Sequence, residues 1–523
     1  MKLLHELILS QAKKTPQAEA LGFKDTWLTY QELADQVTQA SEMLRALQRH
    51  QRDRVAVYLP KVPQAVMSYF GASMAGLVFV PINPILKAPQ ATHIIQDAQA
   101  TVLITNSARL KTMSPDALSS LKQVILIDEP QDTFGNIPLM TWDEAIQLKS
   151  DFPAHRMIST DLVALLYTSG STGKPKGVML SHQNMVTGAY SVAEYLDNQQ
   201  TDRLLCALPF SFDYGFSQMT ISFATGGSCY LMEYLFPQDI LKQVVAQKIT
   251  GLALVPALWI KLARMAWPES TREHLRYFTN TGGAMPVHIT KVLREQLPNT
   301  KPYLMYGLTE AFRSCYLPPE QVDIRPGSIG QTIPNAEILV INEKGECCQP
   351  EEPGELVHRG PLVSLGYWKN EEKTQERFQP LPKALTQGPL PEIAVWSGDT
   401  VKIDSEGYLY FIGRTDEMIK TSGYRVSPQE VEELVYQSGL VKEAIVIGVP
   451  HDELGQAILL FIIEKENVFL ADIQNFCRKN LPSFMIPQDM IALTSIVTNA
   501  NGKPDRAALN RDYKHHFCKG EKQ

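Results

Sequence analysis

Along roughly the first three hundred residues, short apolar runs alternate with longer segments whose apolar positions recur at helical spacing. Leu28-Thr-Tyr-Gln-Glu-Leu-Ala opens a helix predicted to continue to about Gln48, with Thr29 and Glu32 placed as a capping box that satisfies free amides of the first turn. Arg54-Val-Ala-Val-Tyr-Leu reads as a strand, Val62 to Ala75 as a helix, Gly76 to Pro81 as a strand and Thr101-Val-Leu-Ile-Thr as another. Further strands are predicted at Leu162-Val-Ala-Leu-Leu-Tyr, Arg203-Leu-Leu-Cys-Ala-Leu, Gly251-Leu-Ala-Leu-Val and Leu304-Met-Tyr, which carries the alternation to about residue 320. Alternation at this spacing predicts βαβ units and mostly parallel sheets with helices on both faces.

From Gly327 onward the segments shorten. Glu337-Ile-Leu-Val-Ile, Gly354-Glu-Leu-Val-His and Gly407-Tyr-Leu-Tyr-Phe-Ile predict an antiparallel, barrel-like unit, and the proline-containing stretch from Gln379 to Pro391 reads as a surface loop inside it. After Gly413-Arg-Thr-Asp-Glu-Met come a capped helix at Ser427-Pro-Gln-Glu-Val-Glu-Glu-Leu, strands at Glu443-Ala-Ile-Val-Ile-Gly-Val and Ala457-Ile-Leu-Leu-Phe-Ile-Ile, and a helix near Ala471 to Leu481. The expected class is α/β: a large N-terminal domain of fused βαβ subdomains plus a barrel-like subdomain, residues 1–412, and a small mobile α+β domain, residues 413–523.

Composition changes this picture little. The 523 residues, 44% hydrophobic and 20% charged, are proportions ordinary for a globular chain of about three or four folding units. A net charge of −7 provides no polycationic face, so nucleic acid is not expected as a partner and any phosphate must be met by a local device. Val62 to Leu86 carries no charged residue and is long enough to span a bilayer, but Gln64, Asn83, Gly71, Gly76, Pro81 and Pro84 within it favour a buried helix, turn and strand. The cysteines, Cys206, Cys229, Cys315, Cys347, Cys348, Cys477 and Cys518, are dispersed without a CxxC pair and read as reduced thiols. His5 and Glu6 interrupt the apolar stretch a signal peptide needs, so secretion is not expected and the cytoplasm is the expected compartment.

The strongest chemical signal is Leu165-Leu-Tyr-Thr-Ser-Gly-Ser-Thr-Gly-Lys-Pro-Lys-Gly-Val, an apolar strand running into a loop dense in glycine, hydroxyl and lysine side chains. Glycines let amides point at phosphate oxygens, hydroxyls add donors, and lysines offset charge. It is not a Walker loop, because Lys174 is followed by Pro175. The alternative, a flexible surface loop, does not call for this density of donors after a buried strand.

With this loop, the motifs Leu28-Thr-Tyr-Gln-Glu-Leu, Thr281-Gly-Gly-Ala-Met-Pro, Tyr306-Gly-Leu-Thr-Glu-Ala, Gly354-Glu-Leu-Val-His-Arg-Gly, Trp396-Ser-Gly-Asp, Gly413-Arg-Thr-Asp-Glu-Met-Ile-Lys-Thr-Ser-Gly-Tyr-Arg-Val and Asn501-Gly-Lys-Pro-Asp-Arg stand in order along nearly the whole chain. Together they resemble the adenylate-forming superfamily of acyl-CoA synthetases, amino-acid adenylation enzymes and luciferases. The resemblance implies ATP and a carboxylate giving an acyl-adenylate and pyrophosphate, then capture of the acyl group by a thiol.

The resemblance also implies roles. Thr168, Ser169, Gly170, Ser171, Thr172, Gly173, Lys174 and Lys176 would hold the departing phosphates. Thr309 would donate to the α-phosphate and Glu310 would hold Mg²⁺, a hard cation that prefers oxygen. Tyr306, Gly307 and the Gly282-Gly283 backbone would receive adenine, and Asp399 and Arg414 the ribose; the alternatives for these two are a closed turn and a surface ion pair. Lys503 would bridge carboxylate and α-phosphate, although Val497-Thr-Asn-Ala departs from the family's usual Leu-Pro-[Arg/Lys]-Thr before it. Asp416 would be the hinge between two orientations of the C-terminal domain, one presenting Lys503 and the other the loop of Lys420, Gly423 and Arg425. Gly423 would leave room for a pantetheine arm, and Arg425 would meet either that arm or nucleotide phosphate.

Substrate choice turns on Leu208-Pro-Phe-Ser-Phe-Asp-Tyr-Gly, where many fatty- and aryl-acyl enzymes of the family carry a histidine at the position of Phe212. Phe212, Asp213 and Tyr214 resemble amino-acid adenylation enzymes, in which the aspartate pairs with an α-ammonium; the alternative is a solvent-facing or helix-capping Asp213. Arg313 would favour an acidic substrate group if it reaches the pocket, or form a structural ion pair. The segments around Asp213 and Arg313 also look like stand-alone bacterial acyl-CoA ligases associated with exosortase gene clusters and free-standing prolyl-carrier-protein ligases. The sequence after Lys503 is short, so the thiol is expected from coenzyme A or the phosphopantetheine of a separate carrier protein. A medium- or long-chain fatty acyl-CoA synthetase and an adenylate-binding relative without thioester activity are the alternatives.

Overall fold

Strands in which every residue is buried, such as Val78–Pro81, Ala100–Thr105 and Gly251–Leu254, need cover on both faces, and the chain supplies it by alternating them with helices. The computed structural model describes residues 3–47, 50–129, 133–151, 155–168, 175–283, 285, 287–386, 388–414, 418–464, 469–494 and 506–517, with Arg414 described for its backbone alone. A seven-stranded sheet runs in the order Leu139–Thr141, Gln123–Leu126, Ala100–Thr105, Arg54–Val57, Val78–Pro81, Leu162–Thr168 and Lys176–Ser181, parallel except for its last pair. A nine-stranded sheet runs Gln331–Thr332, Cys315–Leu317, Lys301–Tyr306, Tyr277–Asn280, Gly251–Leu254, Arg203–Cys206, Ser228–Leu231, Glu19–Phe23 and Thr26–Thr29, with every pair from Lys301–Tyr306 to Glu19–Phe23 parallel.

One apolar cluster joins the two sheets. Phe79 of the first sheet stacks on Phe216 of the helix Asp213–Thr225, ring centroids 5.3 Å apart. The uncharged stretch resolves into the buried helix Pro63–Ala75, closed by Gly76 at φ 74, and the strand Val78–Pro81. Its Gly71 lets the helix Tyr30–Leu47 approach so closely that a Cβ there would lie 2.8 Å from that of Ala40. Among the described residues no helix is long and apolar enough to cross a membrane.

A five-stranded antiparallel sheet follows: Glu337–Ile341, Gly354–Arg359, Ile393–Ile403 and Phe378–Pro380 in order, with Leu409–Arg414 also on Ile393–Ile403. The stretch read as a loop therefore begins in a strand, which its proline permits because that strand is an edge. The last unit has its own core, including Val431, Val446, Leu460 and Ile473. It is built on the hairpin Ile419–Thr421 and Tyr424–Val426, the strands Val441–His451, Gly455–Glu464 and Asp489–Ala492, and helices at Pro428–Gln437 and Leu470–Asn480. The strand Lys176–Ser181, the hairpin and the strand Asp489–Ala492 were absent from the sequence expectation.

Candidate functional site

The parallel strands of the nine-stranded sheet end together, and the loops leaving Cys206, Leu254, Asn280 and Tyr306 carry Phe212, Val255, Gly282-Gly283 and Thr309-Glu310. Ligand sites of such sheets lie outside the carboxyl ends of the strands. The third sheet reaches the same edge, where the Tyr306 hydroxyl donates to Oδ2 of Asp399, a residue 5% exposed. Asp399 is the cross-strand partner of Arg414, which brings the two residues of separate motifs opposite each other.

Glu310 lies in a single turn of 3₁₀ helix, Thr309–Ala311, and is 7% exposed. Its Oε1 accepts from the Tyr367 hydroxyl at 2.6 Å, while Oε2 has no hydrogen-bond partner among the described residues. Burial would raise this carboxyl, but Arg425, the Tyr367 hydroxyl and Arg377 hold it below the ordinary carboxylate value. A buried, ionised oxygen without a partner suits a hard divalent cation. Tyr367 also lies under Lys176, whose Nζ is 5.3 Å from the ring centroid; burial and then Lys373 lower the Lys176 ammonium.

Tyr367 arrives there by pairing. The strand Lys176–Ser181 is the sheet's last, and residues 365–368 close its edge: Met179 donates to Gly366 at 2.9 Å, Leu365 to Met179 at 2.8 Å and Trp368 to Gly177 at 2.7 Å. Thr168 and Lys176 face each other across the ladder, so the ends of the glycine-rich loop are held as cross-strand partners. Sequence reasoning missed Tyr367; its only local signal is the Gly366-Tyr-Trp run that follows the Gly354 motif.

The helix Asp213–Thr225 begins against this site. Gly215 is obligatory, since a Cβ would stand 2.1 Å from the Pro209 carbonyl oxygen. The Tyr214 hydroxyl and Thr279 Oγ1 are 2.6 Å apart. Asp213 is the first helical residue and half-buried; burial raises its carboxyl, opposed by Arg313, which is itself buried with Cζ 4.9 Å from the Tyr214 ring centroid.

Opposite stands the C-terminal hairpin. Its turn places Ser422 at φ 52 and Gly423 at φ 83, two positive values in succession that match a two-residue primed turn. A Cβ on Gly423 would lie 2.5 Å from Val255 Cγ1, and one on Gly282 would lie 3.3 Å from the Gly423 carbonyl. Tyr424 packs edge-on to Phe212 at 4.8 Å and stacks on Phe484 at 3.7 Å. Lys420 Nζ lies 4.6 Å from the Phe411 ring, which neighbours Tyr306 at 6.5 Å. The Arg425 charge reaches Tyr306, Glu310 and Tyr367.

The structure thus places Thr168, Lys176, Gly282, Gly283, Tyr306, Gly307, Thr309, Glu310, Asp399, Phe212, Asp213, Tyr214, Arg313, Lys420, Gly423 and Arg425 on neighbouring elements where the sheets meet the hairpin. Ser169, Gly170, Ser171, Thr172, Gly173, Lys174, Asp416, Lys503 and the Arg414 side chain lie outside the described residues.

Two family descriptions match this chain: "AMP-binding enzyme" over residues 8–368 and "AMP-binding enzyme C-terminal domain" over residues 430–503. A linear gramicidin synthase of Brevibacillus parabrevis is 29% identical over 98% of this chain, which spans 6% of that protein's length. A long-chain-fatty-acid–CoA ligase of Bacillus subtilis is 28% identical over 99% of this chain and 96% of its own. Among solved structures, o-succinylbenzoate CoA synthetase from Bacillus subtilis, bound with a product analogue, superposes with a TM-score of 0.82 at 24% identity, covering 97% of this chain and 98% of that one.

Proposed function

Since the chain belongs to the family of AMP-binding enzymes, we propose that it activates a carboxylic acid with ATP and passes the acyl group to a thiol. The observation that carries this reading is the buried Glu310 Oε2, without a hydrogen-bond partner among the described residues, on a carboxylate held by Tyr367, whose ring lies under Lys176. In the first step a carboxylate oxygen of the acid attacks the α-phosphorus and the bond to the β-phosphate breaks, releasing pyrophosphate. Two anions must approach, so the site has to screen charge and hold the reactants in line.

Asp399 and Arg414 would hold the ribose, Tyr306 and the Gly282-Gly283 backbone the adenine, Thr309 the α-phosphate, and Thr168, the loop 169–174 and Lys176 the leaving phosphates. Glu310 would hold Mg²⁺, which supplies positive charge to the phosphates. Lys503 would bridge the carboxylate and the α-phosphate. In the second step a thiol sulfur attacks the acyl carbon and AMP departs. The hairpin seated on Val255 and Gly282 supports the view that the arrangement described belongs to this second half, with Gly423 leaving a passage for a pantetheine arm and the C-terminal domain turning about Asp416 between halves. The thiol belongs either to coenzyme A or to the phosphopantetheine of a separate carrier protein.

Acid-dependent ATP–pyrophosphate exchange tests the first half, with AMP release on adding coenzyme A or a phosphopantetheinylated carrier testing the second. Exchange is expected with a small carboxylic or amino acid, and Lys503→Ala is expected to reduce it by about 10²-fold or more. A panel in which only long aliphatic acids support exchange would replace this acid class with fatty acids, and Lys503→Ala exchanging like the parent would remove the role given to Lys503.

A further inference from the structure

Immediately after Glu310 the backbone adopts a conformation that few side-chain-bearing residues accept. Phe312 has φ 59 and ψ −70, and the Arg313 amide donates to the Ala311 carbonyl at 2.7 Å. This is a γ-turn of the positive-φ form, whose central residue is strained by about 1–3 kcal/mol. Such strain persists only where the surroundings enforce it. Phe312 is 3% exposed and its ring lies against Gly188, where a Cβ would stand 2.5 Å from the ring carbons.

The turn delivers Arg313 to the interior. Its side chain is 2% exposed, flanked by the rings of Tyr214 and Phe312, with Cζ 4.9 and 5.8 Å from their centroids. Among the described residues, Nε and Nη2 have no hydrogen-bond partner and no carboxylate lies within the 4.0 Å of an ion pair. Its charge is felt by Asp213, at the start of the neighbouring helix, where it opposes the effect of burial on that carboxyl. A guanidinium stays charged at any working pH, and a buried charge without a bonded partner costs several kcal/mol. Two aromatic faces return about 2 kcal/mol of that. A strained turn that holds an unpaired cation two residues beyond Glu310's own turn is unfavourable for the fold alone, and an anion reaching Nε and Nη2 would supply the partner they lack.

We infer that Arg313 reads the substrate: its guanidinium binds a second anionic group on the acid, distinct from the carboxylate that is activated, so the substrate class is a dicarboxylic or amino-dicarboxylic acid. The inference rests on the proposed ligase activity. A homologous series of dicarboxylic acids from succinate to suberate is compared in ATP–pyrophosphate exchange with monocarboxylic acids of equal length, each with and without an α-amino group. The preferred dicarboxylic acid is expected to exceed its monocarboxylic counterpart by about 10²-fold or more in kcat/KM. Arg313→Met is expected to erase that ratio by raising KM for the dianion far more than it lowers kcat. Arg313→Lys is expected to keep the preference with a raised KM, and carries the test should the methionine variant not fold.

Equal use of mono- and dicarboxylic acids by the parent overturns the inference. So does a parental ratio in an Arg313→Met protein that still melts cooperatively, since a purely structural cation would lower the melting temperature without moving substrate preference. Exchange with none of these acids and none of the long aliphatic acids, while ATP still raises the melting temperature, overturns the ligase reading and this inference with it; exchange confined to monocarboxylic acids of any length overturns the inference alone.

Discussion

One phenol helps to keep ionised the residue on which the proposed chemistry depends. The Tyr367 hydroxyl donates to Glu310 at 2.6 Å and, after Arg425, is the next influence holding that carboxyl below its ordinary value against burial. A hydrogen bond to a charged group contributes about 1.5–3 kcal/mol, so Tyr367→Phe is expected to reduce exchange by roughly tenfold to a hundredfold. The sign with pH follows from the direction of the shift. Because the Glu310 pKa is depressed, its ionised form and the activity that needs it are present above that pKa and lost as pH falls through it. Removing the phenol raises the pKa, so the acid limb of the pH–rate profile moves to higher pH; an unmoved limb would detach Tyr367 from this task. Glu310, Tyr306 and Asp399 were singled out in the sequence through the motifs that carry the family resemblance, and the structure joins Tyr306 to Asp399 and buries Glu310. Tyr367 was not, because its position is set by pairing with a strand nearly two hundred residues earlier, and Arg313 was left open because only the turn at Phe312 decides which way it points.

Short elements are tied to the body by groups that titrate. The helix Glu6–Lys14 is docked through His5, whose Nδ1 lies 3.1 Å from Ser73 Oγ, and through the Leu4 amide, which donates to His182 Nδ1 at 3.1 Å. Burial lowers His5 to about 4, against Glu6 and Ser73, and lowers His182 to about 3, with His5 adding to the shift and Asp161 opposing it. Above an ordinary histidine value of about 6.5 the folded and unfolded chains are both neutral at these sites. Below it the unfolded chain binds protons that the folded one refuses, so stability is lost progressively from about pH 6.5 downward. Melting curves are expected to shift to lower temperature between about pH 7 and pH 5, and less steeply in His182→Gln, whose amide oxygen can still accept from Leu4. An equal slope in parent and variant would assign the acid sensitivity elsewhere. Helices with caps and fully apolar strands were readable from pattern, as at Tyr30–Leu47 and Gly251–Leu254. Lys176-Gly-Val-Met-Leu-Ser and Ile419-Lys-Thr were not, because segments this short without regular alternation owe their form to their ladder partners.

Across the whole molecule, the regular alternation of strand and helix announced parallel sheets, but the seating of the C-terminal unit had no such signature. It rests on contacts like that of Gly282 with Gly423, made by the absence of side chains. Gly423→Ala would set a Cβ 2.5 Å from Val255 Cγ1 at φ 83, a strain of about 1–2 kcal/mol before any clash. ATP–pyrophosphate exchange is expected to remain near the parental rate, while transfer from acyl-adenylate to thiol falls by roughly tenfold or more; equal losses in both halves would mean the hairpin does not serve the second half alone. The closed edge of the seven-stranded sheet has a different consequence, one of time. Residues 177–179 and 365–368 can pair only after the intervening chain has folded, and contacts of such sequence separation form slowly. The amides of Met179, Leu365 and Trp368 therefore report when the region beneath Lys176 is assembled. In pulse-labelled refolding their hydrogen-exchange protection should rise together and late, behind that of the strand Ala100–Thr105, so that the chain acquires its sheets before it acquires its site.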